Sequence, residues 1–421
     1  MTLIGIEKGT ACVDSLVTMT KSRDDMPDKL SSEQEHSLRI LQKAMFFIDS
    51  LSLTSLAEPR LADLNVRQRN LLGYFEHEMS SSVSIHAAVQ RELCRVVLPM
   101  ALDNPQILAA ILSVSSTYRV STGLEQGEDD ATQLRVVAIR QLNDSLSGAD
   151  ENRLMAAFAT SLILSLGDIF SPTRTENWRI FLRGAIVLRE HLINQPPTSE
   201  LEFLRRLCLS LRLMAASEMS SIDMGKETAK IAPPGYICDL AGFSPSLGSI
   251  LEQIQDFCRE CDAHPTALHD RIGPLYQTYA QLVDKINLLC RLRLRAPLFR
   301  PEAARTLTAE MKQDLWNLDE AFHHSALLQL HARMHSVRTP VTQAIRASVL
   351  RIIACIGCMD FTRKPNPAVS TIGPLYEAGR AAIVREDQEQ VFAIILRIQK
   401  TCPVANFARL VSILPLIWGW E

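Results

Sequence analysis

The 421-residue chain carries no excess of charge of either sign, since 44 Lys and Arg face 47 Asp and Glu for a net charge of −3. A strongly basic face of the kind that holds nucleic-acid phosphates is therefore not expected. Long apolar runs are missing too. The longest uncharged apolar stretch, Leu154 to Gly167, has 14 residues, which suits a buried helix and falls short of the roughly 20 needed to cross a bilayer. Met1 to Ser15 contains no basic segment followed by a continuous apolar one, so it does not read as a secretory signal. Ten cysteines sit mostly inside apolar helical patterns rather than at regular loop spacings, which points to reduced thiols and a nuclear or cytoplasmic protein rather than a secreted one. No GxSxG elbow, phosphate-cradling glycine loop, HExxH or dinucleotide fingerprint occurs. Nucleophilic and nucleotide-dependent chemistry have no support, and no cofactor is implied.

What is present is 47% hydrophobic and 22% charged residues over a length that can bury one large core or two ordinary ones. Residues 1–34 hold the polar cluster Lys21 to Lys29 and no helical apolar stripe, and they read as a mobile tail. From Leu38 the apolar residues recur at helical spacing (Leu38, Leu41, Met45, Ile48), and the period returns in most later segments. Strand-like alternation is scarce. Asn104 and Pro105 mark a helix start over Gln106–Arg119, with Asn104 as the cap. Ser171-Pro-Thr173 separates a helix over 152–168 from one opening near Glu176. The run Arg291-Leu-Arg-Leu-Arg295 ends a helix before Pro297 and reads as a solvated helix end. Residues 232–246 form the longest loop-like stretch and a possible subdivision. The expectation is an all-α fold over 35–421, on the order of twelve to sixteen helices in a bundle or superhelix.

Four stretches carry a family resemblance. They are Tyr74 to His77 with Val97 to Ser113, Ala138 to Leu146 leading to Trp178–Ala185, Asp239-Leu-Ala-Gly-Phe-Ser-Pro-Ser-Leu247, and Gly373-Pro-Leu-Tyr-Glu-Ala-Gly379 with a closing helix ending at Trp418. In their order and spacing they resemble the C-terminal regulatory domain of fungal transcription factors of the zinc binuclear cluster type. The resemblance implies an all-α fold and regulation or ligand sensing more than chemistry. Members of that family carry an N-terminal module in which six cysteines bind two zinc ions and set a helix in the DNA major groove. Here Cys12 is the only cysteine before Cys94, and residues 1–35 hold four Lys or Arg against seven Asp or Glu. One thiol cannot hold two zincs, so direct nucleic-acid binding by the family's route is not expected.

Several constellations invite chemistry. Cys258–Cys261 and Cys355–Cys358 are two CxxC pairs, the first followed by His264, but both lie in helix-period segments rather than tight knuckles. They read as buried or semi-buried thiols, with no metal site. Asp24-Asp-Met-Pro-Asp28 and Asn143 to Glu151 match the two magnesium-binding strings of class I terpene cyclases. The first falls in the presumed tail, however, and Gly148 is expected to end the second's helix before Glu151. Glu320, His324, His331 and His335 fall on one helical face, able to supply a general acid and base or simply to be a solvated surface. Trp178, Trp316, Phe322 and Met334 are candidate walls of an apolar ligand pocket.

Two functions follow as expectations. One is a regulator-like effector domain without its own DNA reader, tied to a secondary-metabolite pathway. It would act through an apolar small molecule, a protein partner or homodimerisation. The other is a cofactor-independent biosynthetic enzyme of the pericyclase or hetero-Diels-Alderase type, in which a shaped helical cavity folds an apolar intermediate by orientation alone.

Overall fold

The computed structural model describes residues 64–420 except 126–128, 147–150, 170–176, 218–234, 264–267, 294–297, 336–341 and 403–404. The tail expected over 1–34, the apolar stripe from Leu38, Cys12, Asp24–Asp28, His264 and Arg295 all lie outside the described residues. Among the described residues the main helices are fifteen: α1 (Val66–Tyr74, continued by a π turn at Phe75–Met79), α2 (Ala87–Asp103), α3 (Pro105–Ser121), α4 (Asp129–Leu146), α5 (Glu151–Ile169), α6 (Asn177–His191), α7 (Ser199–Ser217), α8 (Pro245–Ala263), α9 (Leu268–Arg293), α10 (Pro301–Thr306), α11 (Ala309–His335), α12 (Thr342–Gly357), α13 (Ile372–Ala381), α14 (Arg385–Thr401) and α15 (Ala405–Trp418). Among the described residues the sole β-type pairing is an isolated bridge between Tyr236 and Leu298. The all-α expectation holds.

Two helices act as hubs. The first is α3, apolar on nearly every side and buried almost continuously from Gln106 to Ser116, as a helix without a polar face must be. It packs against α1, α2, α4 and α5. Gly167 on α5 makes this approach possible, because a Cβ there would overlap the Val114 side chain of α3. The second hub is α11, which packs against α8, α9, α12 and α13. Between the two sets runs α7, in contact with α2, α5, α6 and α8. The connection before α8 turns at Gly242, whose φ of +84° favours glycine and whose missing side chain leaves room for Leu318 of α11. Buried apolar side chains form one cluster running from Leu64 to Leu414.

Helix boundaries follow local chemistry with one revision. Asn104 stands at the cap position of α3, with Pro105 at the first turn, but its side chain makes no cap hydrogen bond. Its Nδ2 donates to the Met100 carbonyl oxygen at 2.8 Å instead, serving the end of α2. A short link between two helices offers the amide orphan carbonyls as well as orphan N–H groups.

Candidate functional site

A buried polar assembly lies where α11 meets α9 and α12. Arg293, at the end of α9, places Nε 2.5 Å from Asp319 Oδ2 and Nη1 3.4 Å from Glu320 Oε2. Its Nη2 donates to the Trp316 carbonyl oxygen at 2.5 Å, and the guanidinium lies 4.3 Å from the Trp316 ring centroid. Asp319 Oδ1 accepts the Ser244 backbone N–H at 2.7 Å. One carboxylate thus ties α9 and the Gly242 turn to α11. Next along the helix, Glu320 Oε1 accepts from Arg351 Nε of α12 at 2.5 Å, and His324 Nδ1 lies 3.3 Å from Ser348 Oγ. His323 is fully buried, with Nδ1 2.7 Å from the Asp319 carbonyl oxygen and no partner for Nε2.

Ionisation follows from this packing. Burial pushes His324 down to about 4, against the opposing pull of the Glu320 charge, with His323, Arg351 and Arg293 adding to the depression. Burial also lowers His323 and His331. For Glu320 burial raises the pKa, but the Arg351 hydrogen bond and the charges of Arg293 and Arg351 outweigh it and leave the group lowered. A carboxylate beside a neutral imidazole results.

The structure distributes the candidate residues among several environments. Glu320 and His324 face α12 together, whereas His331 is joined to α9, its Nδ1 2.8 Å from the Tyr279 hydroxyl. The His335 side chain lies outside the described residues. The histidine face is not a solvated surface, because His323 and His331 are buried and Glu320 and His324 are covered by α12. Phe322 stacks on Phe243 at 4.1 Å, Trp316 lies under Arg293, Met334 is buried in the core, and Trp178 belongs to α6, which packs on α5 and α7. Arg293 is a further revision: it is 4% exposed, not part of a solvated helix end. No disulfide joins the nine cysteines of the described residues, and no three His, Cys, Asp or Glu side chains among those residues gather as a metal ion would require. Burial raises Cys355 to about 12 and Cys290 to about 11, so both are thiols rather than thiolates.

Sequence reasoning missed a cavity. It opens between α2, α5, α7, the Leu240 turn and the 3₁₀ turn Pro367–Ser370, with Ser84, Leu93, Phe203, Leu207, Leu240 and Ser370 in its wall. It is small, with room for roughly one or two water molecules, and nearly all of its lining side chains are buried. Nine apolar residues and three serines line it, so no charged side chain enters. Charges stand just behind the wall. Arg206 pairs with Glu92 at 2.5 Å and Asp239 at 3.5 Å, and Arg300 pairs with the same two carboxylates at 3.3 and 3.2 Å. Glu92, Arg206 and Asp239 are the chain neighbours of Leu93, Leu207 and Leu240. This network links α2 and α7 to residues beyond the Gly242 turn. His86, the residue before α2, is buried nearby, lowered by burial against the opposing Asp239 charge, with Nε2 unpartnered.

The family model described as the fungal specific transcription factor domain matches residues 70–419. The chain belongs to that family. No zinc cluster module is found in it, as the distribution of cysteines led us to expect. No curated protein and no solved structure matches the chain. The fungal transcription factor domain match covers both hubs, the buried seam and the cavity, so all of them are parts of the family domain. No described helix is long and apolar enough to cross a membrane.

Proposed function

We propose that this chain is an effector module of fungal transcription control, working through a small apolar ligand or a protein partner rather than through a DNA reader of its own. The match of the family domain to residues 70–419 carries this reading. The small apolar cavity is consistent with it, because its wall joins α2, α5 and α7 on one side to the Leu240 and Ser370 turns on the other. A ligand that fits one arrangement of these elements better than another shifts the balance between them. The ligand would belong to a secondary-metabolite pathway, and the protein would work in the nucleus or cytoplasm, alone, as a homodimer or with a complete family member. The alternative, a cofactor-independent cyclase, needs a cavity that encloses its whole substrate, and the narrow depth of this one favours the regulator.

Fusing the full chain to an unrelated DNA-binding domain tests the proposal. Reporter transcription should differ from that of the DNA-binding domain alone. Unchanged transcription by a stably expressed nuclear fusion overturns the reading, as does faster-than-buffer turnover of a reactive polyketide or terpenoid intermediate by the purified chain.

A further inference from the structure

We infer that the outward face of α15 is an interface on which a second copy of this chain docks, the two α15 helices lying antiparallel about a twofold axis near Ser412. The inference deepens the regulator reading by naming its partner and rests on that reading for its biological meaning, while the association itself stands on the surface alone.

Three observations carry it. The first is an apolar face left bare. Arg409 is the one ionisable residue of α15, and a helix so apolar is ordinarily covered on all sides. Yet Ala408, Arg409, Ser412, Leu416 and Ile417 are exposed, Leu416 by 78%. The end of α15 lies against the link between α13 and α14. Trp418 Nε1 donates to the Gly379 carbonyl oxygen at 2.7 Å, Trp420 Nε1 donates to Gln388 Oε1 at 3.1 Å, and Gln388 Nε2 donates to the Ala382 carbonyl oxygen at 3.0 Å. Ile383, in that link, is 69% exposed as well. Exposed apolar side chains gathered in this way mark an interaction site.

Shape comes second. Ala408, Ser412 and Leu416 are spaced four apart and form one ridge along the helix. The ridge is small at one end and large at the other, so an antiparallel copy sets each Leu416 over the other's Ala408, about 12 Å apart along the axis. A parallel copy would set leucine on leucine and alanine on alanine. Charge comes third. Neither Arg409 nor Glu386 has an ion-pair partner among the described residues, whereas Arg385 is paired with Glu389 at 2.8 Å and lies 3.9 Å from the Trp420 ring centroid. Arg409 stands near the start of α15, and Glu386 stands in the first turn of α14, beside the end of α15. Antiparallel docking brings the Arg409 of each copy to the Glu386 of the other, twice over, as a twofold axis requires. A face that is apolar along its middle and carries one charge of each sign at its two ends complements itself.

Sedimentation velocity and light scattering of the full chain over a wide concentration range test this, and the expected result is a concentration-dependent dimer. Leu416→Glu, at so exposed a position, should leave the melting temperature nearly unchanged while weakening the dimer at least about tenfold, because it sets a charge within the apolar contact. Leu288→Glu is the control, since Leu288 is 55% exposed on α9, which packs on α8 and α11. It should associate as the parent does. Arg409→Glu and Glu386→Arg should each weaken self-association, because like charges then face each other at both ends. Mixed in equal amounts, these two variants should associate again as tightly as the parent. Every junction in the mixed dimer pairs opposite charges, a rescue open only to contacts between copies. A monomer at every concentration overturns the inference, whether the face is then covered by another protein, a lipid surface or residues of this chain outside the described set. A dimer that Leu416→Glu leaves intact overturns it too, as do charge variants that mixing fails to rescue. A silent reporter fusion together with a rescued dimer would remove the regulator reading and leave the interface. An active fusion of a strictly monomeric chain would do the reverse.

Discussion

Arg293 and Asp319 have side chains 5% and 1% exposed, and two such charges are tolerated inside a protein only when their remaining hydrogen-bonding capacity is also met. Trp316 O, Glu320 and Ser244 N–H supply it. Their neighbour His324 gives this seam a pH dependence whose sign can be worked out. Its folded-state pKa is pushed below the ordinary histidine value, to about 4, mainly by burial, with Glu320 opposing and His323, Arg351 and Arg293 reinforcing the shift. Above pH ~6.5 the imidazole is neutral in both states and costs nothing; as the pH falls below that, the unfolded chain takes up the proton and the folded one does not, so stability is lost. Thermal melts should therefore shift downward between about pH 7 and pH 5, and His324→Gln should flatten that slope. A residual slope is expected from His86, His323 and His331, which burial lowers as well. A variant melting curve with the same pH slope as the parent would refute this assignment.

At the scale of elements, the two hub helices depend on close approach, and glycines report where that approach is tightest. Gly167→Ala should destabilise the chain by at least ~1 kcal/mol, because the new methyl group must displace Val114 across the α3–α5 contact. Gly73→Ala is the control. Nothing lies within 4 Å of a Cβ at that position of α1, so helix propensity should stabilise it by up to ~1 kcal/mol. Chemical denaturation reads both, and a common sign for the two substitutions would contradict the packing described here. Elements were also where the amino-acid order was most readable. The Pro105 boundary, the apolar run of α5 and the break before α6 appear as local patterns, since periodicity and proline act within a few residues. The seam was not readable in that way. Arg293 looks solvated beside Arg291, and only Asp319 and Trp316, a helix away, explain its burial. The histidine face was recognised as a face, but what covers it depends on Ser348, Arg351 and Tyr279 of other helices. Ser84, whose buried hydroxyl has no partner, carries no local signal at all, because an unpartnered hydroxyl is defined by what fails to reach it.

Across the whole molecule, the Glu92–Arg206–Asp239–Arg300 network joins the helices before the Gly242 turn to those after it. Asp239 has a side chain only 3% exposed and is shared by both arginines. Asp239→Asn should cost about 3 kcal/mol, in line with breaking other buried pairs. It should also weaken the link between the two helix sets, so that the single calorimetric transition expected of the parent separates into two. A single unbroken transition in the variant would show that the apolar contacts of α7 with α8 suffice to couple them.

The same network imposes an order on synthesis. Glu92 and Arg300 are 208 positions apart, so at the usual ~5–20 residues per second the ribosome delivers the second arginine roughly 10–40 s after the glutamate. Arg206 follows Glu92 by 114 positions, and Asp239 and then Arg300, 61 positions further on, close the ring only at the end of that interval. Most neighbouring helices can pair as they emerge, whereas the wall of the cavity waits for the second half of the chain. The nascent protein therefore exposes this apolar surface for many seconds, and chaperone capture during translation should concentrate between the emergence of α7 and that of Arg300.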